Sequence, residues 1–166
     1  MEERYEFDEV TILSAFAMGI PGKRTFFLII GRKEKWVRVW LEKYLLESLA
    51  LAIDQFLFTL SQEHLNVDRG AEGISLSDVP SGLPSVELEI DEIALGFDHG
   101  RATLHLSVHG LGPRISERAE VLCRVTLSQL EKFGKQAKSV CAAGRPLCIL
   151  CGGPIDPTGH ICPKSN

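Results

Sequence analysis

The chain has no Lys or Arg between residues 71 and 100, only 7% aromatic residues, and five Cys in 166 residues. Five Cys are too few for a small fold held together by disulfides. A net charge of −4 and a pI near 5.7 leave no strongly basic footprint and argue against a dedicated nucleic-acid binder. The longest apolar helical stretch, Leu45 to Leu60, is interrupted by Glu47, Asp54 and Gln55. It falls short of the roughly 20 apolar residues a bilayer span needs. The start, Met1-Glu2-Glu3-Arg4, is acidic, with no signal-peptide core directly behind it. These absences lead to the expectation of a cytoplasmic protein with no membrane segment, where thiols stay reduced and clustered Cys more often bind metal. Two catalytic signatures are missing as well. Gly19-x-x-Gly22 lacks the Lys-Ser/Thr of a phosphate loop, and there is no Gly-x-Ser-x-Gly elbow.

What is present is an ordinary globular balance, 45% apolar and 24% charged, which excludes general disorder. Val10 to Phe16, Thr25 to Ile30 and Trp36 to Leu41 read as strands, the last with Val37, Val39 and Leu41 on one face. The period then lengthens. Leu45, Leu49, Ala52, Ile53, Phe56 and Leu60 recur at helical spacing, so 42–62 is a helix whose apolar stripe is wide enough for burial on more than one side. Residues 63–85 read as a long loop. Val86 to Phe97, Arg101 to His109 and Ala119 to Leu127 read as three more strands, with Asp98-His99-Gly100 as the hairpin turn between the first two. Ser128 with Glu131 has the form of a capping box that opens a second helix, and Gly144 and Pro146 end it.

The expectation is an α+β fold made of duplicated βββα units, 1–62 and 86–145. Together they form a mainly antiparallel sheet with two helices on one face, and the halves are related by a pseudo-twofold axis. Domain 1–145 is followed by a small metal-binding tail, 146–166.

That tail carries the sharpest chemical signal. Cys148-x-x-Cys151-Gly152 is followed by Gly159-His160-Ile161-Cys162-Pro163. Two thiolates separated by two residues can reach one ion, and Gly152 permits the tight backbone of a metal knuckle. His160 and Cys162 supply a second pair. Cys148, Cys151, His160 and Cys162 would fill the tetrahedron of one Zn²⁺ and leave no place for water, which makes the zinc structural. A segment of about 20 residues cannot build a core, so a metal staple is physically reasonable. A redox dithiol is the weaker reading, because activated thiols favour helix N-termini and Cys148 follows a helix end.

Gly19-x-Pro21-Gly22-x-Arg24-Thr25-Phe26 and the ending Ala143-Gly144-Arg145-Pro146-x-Cys148-x-x-Cys151-Gly152-x-Pro154-x-Asp156-Pro157-x-Gly159-His160-Ile161-Cys162-Pro163 resemble an uncharacterised bacterial family, domain of unknown function 3090. The likeness runs over essentially the whole chain. It implies that the Cys/His tail is an integral part of the protein, and it brings no activity with it.

Two weaker constellations remain. Lys132, Lys135 and Lys138 line one side of the second helix, with Arg145 beyond its end. Residues 101–166 hold nine Lys/Arg against four Asp/Glu. This basic side suits an acidic protein surface as partner; nucleic acid is disfavoured by the overall charge and by the lack of interleaved aromatics. A homodimer is compatible with the sequence. A regular hairpin would also place Glu89 opposite His109 and Asp91 opposite Ser107. Glu89, Asp91, His105 and His109 would then share a face able to do acid–base work or bind a ligand. His105 and His109, four residues apart on a strand, lie roughly 13 Å from each other and cannot share a metal. The reading is therefore a zinc-binding, non-catalytic protein-interaction module, with a small enzyme or ligand-binding protein as the alternative.

Overall fold

The computed structural model describes residues 4–20, 22–63, 80–98, 103–110, 119–143, 148–153, 155 and 159–164. Its elements are β1 (Arg4–Phe7), β2 (Ile12–Met18), β3 (Thr25–Gly31), β4 (Trp36–Leu41), α1 (Lys43–Gln62), β5 (Val86–Asp98), β6 (Thr103–Gly110), β7 (Glu120–Val125) and α2 (Leu127–Ala142). Seven strands form one sheet in the order β1-β7-β6-β5-β4-β3-β2. Four of the six pairings are antiparallel; β1 with β7 and β4 with β5 are parallel. The fold is α+β with a mainly antiparallel sheet, and α1 and α2 pack against each other and the sheet.

The apolar alternation explains the layering. Leu28 and Ile30, Val37 and Val39, and Leu104, Leu106 and Val108 turn toward the helices and are fully or almost fully buried. Leu46, Leu49, Ile53 and Leu60 of α1 and Leu130, Phe133 and Ala137 of α2 complete that core, while Phe56 is only partly buried. α1 runs past the Leu45–Leu60 stretch at both ends, and its 20 residues, contrary to expectation, are long and apolar enough by length and composition alone to cross a membrane. Here its stripe is a core stripe on one side, and Tyr44, Leu51 and Phe58 remain exposed on another.

The sheet is strongly curled. Laid flat, seven strands would hold their edges about 29 Å apart. Edge strands β1 and β2 are joined by the short connection from Phe7 to Ile12, which reaches about 17 Å at most. α2 begins directly after β7 and packs on β2, tying the two ends of the curl together. The Gln129 side-chain amide donates to the Val10 carbonyl at 2.6 Å. The Ala15 N–H donates to Gln136 Oε1 at 2.9 Å. Arg24 donates to the Val140 carbonyl at 3.0 Å. Arg124 pairs with Asp8 at 2.5 Å.

Several expectations are corrected. The element order βββα occurs twice, as β2-β3-β4-α1 and β5-β6-β7-α2, but element order alone does not make the runs two copies of one unit. A twofold axis perpendicular to the sheet would set β4 beside β7 or β2 beside β5. Instead β4 neighbours β5, parallel to it, and the runs follow one another head to tail across the sheet. β1 was not anticipated. Helix α2 is capped by Thr126, with Gln129 as its reciprocal partner, and not by Ser128 and Glu131. β7 ends at Val125, so the chain turns two residues earlier than the apolar pattern suggests.

The β5–β6 register is also different. Glu92 stands opposite His109, Ala94 opposite Ser107 and Gly96 opposite His105, with a bulge between Ile90 and Glu92. The cause is twofold. Pairing extends outward to Asp98 and Thr103, so the connection is longer than the expected three-residue turn; residues 99–102 lie outside the described part. The bulge then shifts the inward positions from Ile90 to Ile93, since an extra residue in one strand breaks the alternation locally.

Candidate metal centre

The tail gathers its four candidate ligands into one cluster. One ligand atom from each of Cys148, Cys151, His160 and Cys162 lies within 4.8 Å of all the others. Cys148 Sγ is 3.8 Å from Cys162 Sγ, and Cys151 Sγ is 3.3 Å from His160 Nε2. A zinc tetrahedron with Zn–S bonds of about 2.3 Å has S···S edges of about 3.8 Å, so the first distance is already that of two ligands on one ion. Soft thiolates together with an imidazole form a donor set suited to such a metal.

Local backbone geometry builds the cluster. The Gly152 N–H donates to the Cys148 carbonyl at 2.8 Å, and the Cys148 N–H donates to the Gly153 carbonyl at 2.7 Å. This closed turn needs Gly152 at φ +73°, a left-handed conformation that glycine adopts without steric cost. The Gly153 N–H donates to Cys151 Sγ at 3.4 Å. Donation from the Cys151 and Leu150 backbone N–H groups to the Cys148 sulfur lowers its thiol to about 6. The Cys162 thiol is raised, first by desolvation and then by the neighbouring cysteines. The thiols thus crowd one another, and a dication among them would stabilise all as thiolates. Around the cluster the chain has little to bury: Ile149 is 99% and Ile161 97% exposed.

The other two cysteines play no part in this. Cys123, on β7, faces the core, and burial pushes its thiol up to about 12. Cys141, near the end of α2, is also buried, and its thiol is raised chiefly by that burial and secondly by the Glu47 carboxylate.

The basic side of α2 is partly engaged. Lys138 forms an ion pair with Asp54 of α1, while Lys132 and Lys135 are exposed. Arg145 lies outside the described residues. The carboxylate–histidine face loses its expected pairings. His109 Nε2 lies 3.6 Å from Glu120 Oε1, a carboxylate on β7 that the sequence reading missed. Arg4 also contacts Glu120, at 3.5 Å. His105 lies against Gly96, where a Cβ would collide with its ring. Glu89 stands beside Trp40 of β4 instead of His109.

Two hollows among the described residues lie elsewhere. One, of about 440 Å³, runs between α1 and β5 along Leu45, Leu49, Ala52, Phe56, Ile93 and Leu95. The other, of about 670 Å³, lies at the curl's end, where Arg32, Lys35 and Arg124 meet Glu6, Asp8 and Glu9. Its formal charges balance.

The sequence reading also overlooked the face of β2–β4 turned away from the helices. Trp36, Arg38 and Trp40 alternate with the inward Val37, Val39 and Leu41, which is legible from strand periodicity alone. No curated protein and no solved structure matches this chain. The model of the family described as protein of unknown function (DUF3090) matches residues 5–162, and the chain belongs to that family.

Proposed function

We propose that this protein binds one structural Zn²⁺ through Cys148, Cys151, His160 and Cys162, and that it serves as a non-catalytic protein-interaction module. The observation that carries the metal reading is the convergence of four ligand atoms within 4.8 Å, two of them at the spacing of a zinc–thiolate tetrahedron. Four protein ligands leave no coordination position for water or substrate, so such a metal holds shape and does not activate a nucleophile. The alternative, a small enzyme or ligand-binding protein using Glu89, Asp91, His105 and His109, has lost the pairings on which it was built.

The partner proposed for the module is an acidic protein surface that meets Lys132 and Lys135 on α2. Both are exposed, and the last 66 residues carry a net positive charge. The metal test is elemental analysis of protein purified without chelator, which should give about one zinc per chain. The double variant Cys148→Ser/Cys151→Ser should lose it; metal retained in that variant would overturn the assignment. The partner test is salt-sensitive capture of acidic proteins, which should weaken in Lys132→Glu/Lys135→Glu. Unchanged capture would reduce this helix side to a plain solvated surface.

A further inference from the structure

The sheet face turned away from α1 and α2 carries a row of rings that the metal reading does not use. Phe16, Phe27 and Trp40 stand side by side on three adjacent strands, in register. The Phe16 and Phe27 ring centroids are 5.2 Å apart and stacked; those of Phe27 and Trp40 are 5.0 Å apart and tilted. All three rings are only partly buried. The next strand continues the row with Glu89, the register partner of Trp40. The Glu89 side chain is exposed and has no hydrogen bond or ion pair among the described residues.

One row along, the protein shows what such a surface holds. Arg38 lies with its guanidinium 5.5 to 5.8 Å from the rings of Phe27, Trp36 and Trp40. It donates to Glu87, its register partner on β5, at 2.7 Å. A cation over aromatic faces, fixed by a carboxylate at the row's end, is thus already built into the sheet. In the Trp40–Glu89 row the carboxylate has no cation of its own: Arg38 reaches the Phe27 and Trp40 rings from the neighbouring row but is held by Glu87. β5 itself carries five Asp/Glu and no Lys/Arg, so the field over this strand attracts positive charge.

We infer that the Phe16–Phe27–Trp40–Glu89 row is a docking site for an arginine side chain of a basic polypeptide segment. The guanidinium lies over Trp40 and pairs with Glu89. A planar guanidinium suits this site better than an ammonium, because it stacks on a ring and offers a fork to a carboxylate at the same time. An open sheet face also accommodates an extended peptide. This site is separate from α2 and independent of the metal.

Both tryptophans of the chain, Trp36 and Trp40, lie in this patch, so indole emission reports on it directly. The full chain is titrated with acetylated, amidated tetra-arginine at low salt. The expected result is a saturable emission change that weakens about tenfold in Glu89→Gln and stays unchanged in Glu63→Gln, an exposed carboxylate at the end of α1. Glu89 is exposed, so the variant should keep the parent's circular dichroism. The proposal is overturned by no saturable change up to about millimolar peptide, or by equal weakening in both variants. It is also overturned if spermine binds as well as tetra-arginine, which would indicate small amines, or if emission changes on concentrating the protein alone, which would indicate a second copy.

Discussion

Gly134 of α2 faces Ile53 of α1 so closely that a Cβ at position 134 would sit 2.9 Å from Ile53 Cγ2. The two helices owe their close approach to this missing methyl, and both residues are buried. Gly134→Ala gains helix propensity of about 1 kcal/mol and incurs an overpacking cost of about 1–3 kcal/mol. The net expectation is a loss of about 1 kcal/mol in urea unfolding. Ile53→Leu removes the β-branch that the added methyl would strike, so a double-mutant cycle should show favourable coupling. Additive effects would mean that the helices separate freely.

The two candidate caps of α2 give opposite expectations. Thr126→Ala removes the hydroxyl that accepts from the Gln129 N–H at 3.1 Å and should cost about 1 kcal/mol. Ser128→Ala lies inside the helix and should change stability by less than about 0.5 kcal/mol. Thermal unfolding of the two variants side by side decides between them.

Gly31 closes β3 at φ +144°. A Cβ there would meet the Lys35 carbonyl at 2.5 Å and Trp36 Cα at 2.6 Å. Both obstacles are backbone and cannot swing away, so Gly31→Ala should cost about 3 kcal/mol. A midpoint unchanged in denaturant titration would contradict this turn geometry.

Thiol chemistry should divide the five cysteines. In chelated protein at neutral pH, Cys148 with its lowered thiol should react first with a thiol reagent and the partly exposed Cys151 and Cys162 after it, while Cys123 and Cys141 wait for unfolding. The Cys123 thiol titrates near 12 when folded, against about 9 in the open chain. Its contribution is therefore fully present below pH 9 and is lost as pH rises toward 12. The stability of the parent relative to Cys123→Val should fall across that window. A flat difference would show that Cys123 ionises freely in the folded protein.

Sequence alone reveals those parts of the molecule whose cause is local. The tail cluster is legible because its ligands lie within 15 residues of one another and the spacing itself encodes the geometry. α1 is legible because one helical stripe runs from Leu45 to Leu60. Position in the sheet is not local. β1 offers only Tyr5 and Phe7 alternating with Arg4 and Glu6, and its partner β7 lies more than a hundred residues away. The parallel pairing of β4 with β5 depends on how the connection after α1 returns, which no periodicity records. The bulge was available: Asp91-Glu92 between Ile90 and Ile93 breaks the alternation, and apolar residues resume one step out of phase. Treating 86–97 as one unbroken strand hides it, whereas the pairs from Glu92 to Asp98 owe their register to the longer connection between β5 and β6. The capping pattern occurs twice within six residues, at Thr126–Gln129 and Ser128–Glu131, and only the end of β7 selects between them.

The pairing of β1 with β7 also governs when the protein can become itself. During synthesis β1 emerges ahead of β2 to β7, and it must remain without its native neighbour until the chain has grown past residue 125. Loop closure over that distance is entropically costly before any contact offsets it, and folds rich in such distant pairings form slowly. The three-strand run β2–β4 can assemble early from hairpins, whereas the curl closes only when β7 and α2 arrive together. Until then the outer edge of the growing sheet is open to pairing with a neighbouring chain. Arrival of β7 and α2 therefore sets how long that edge stays open.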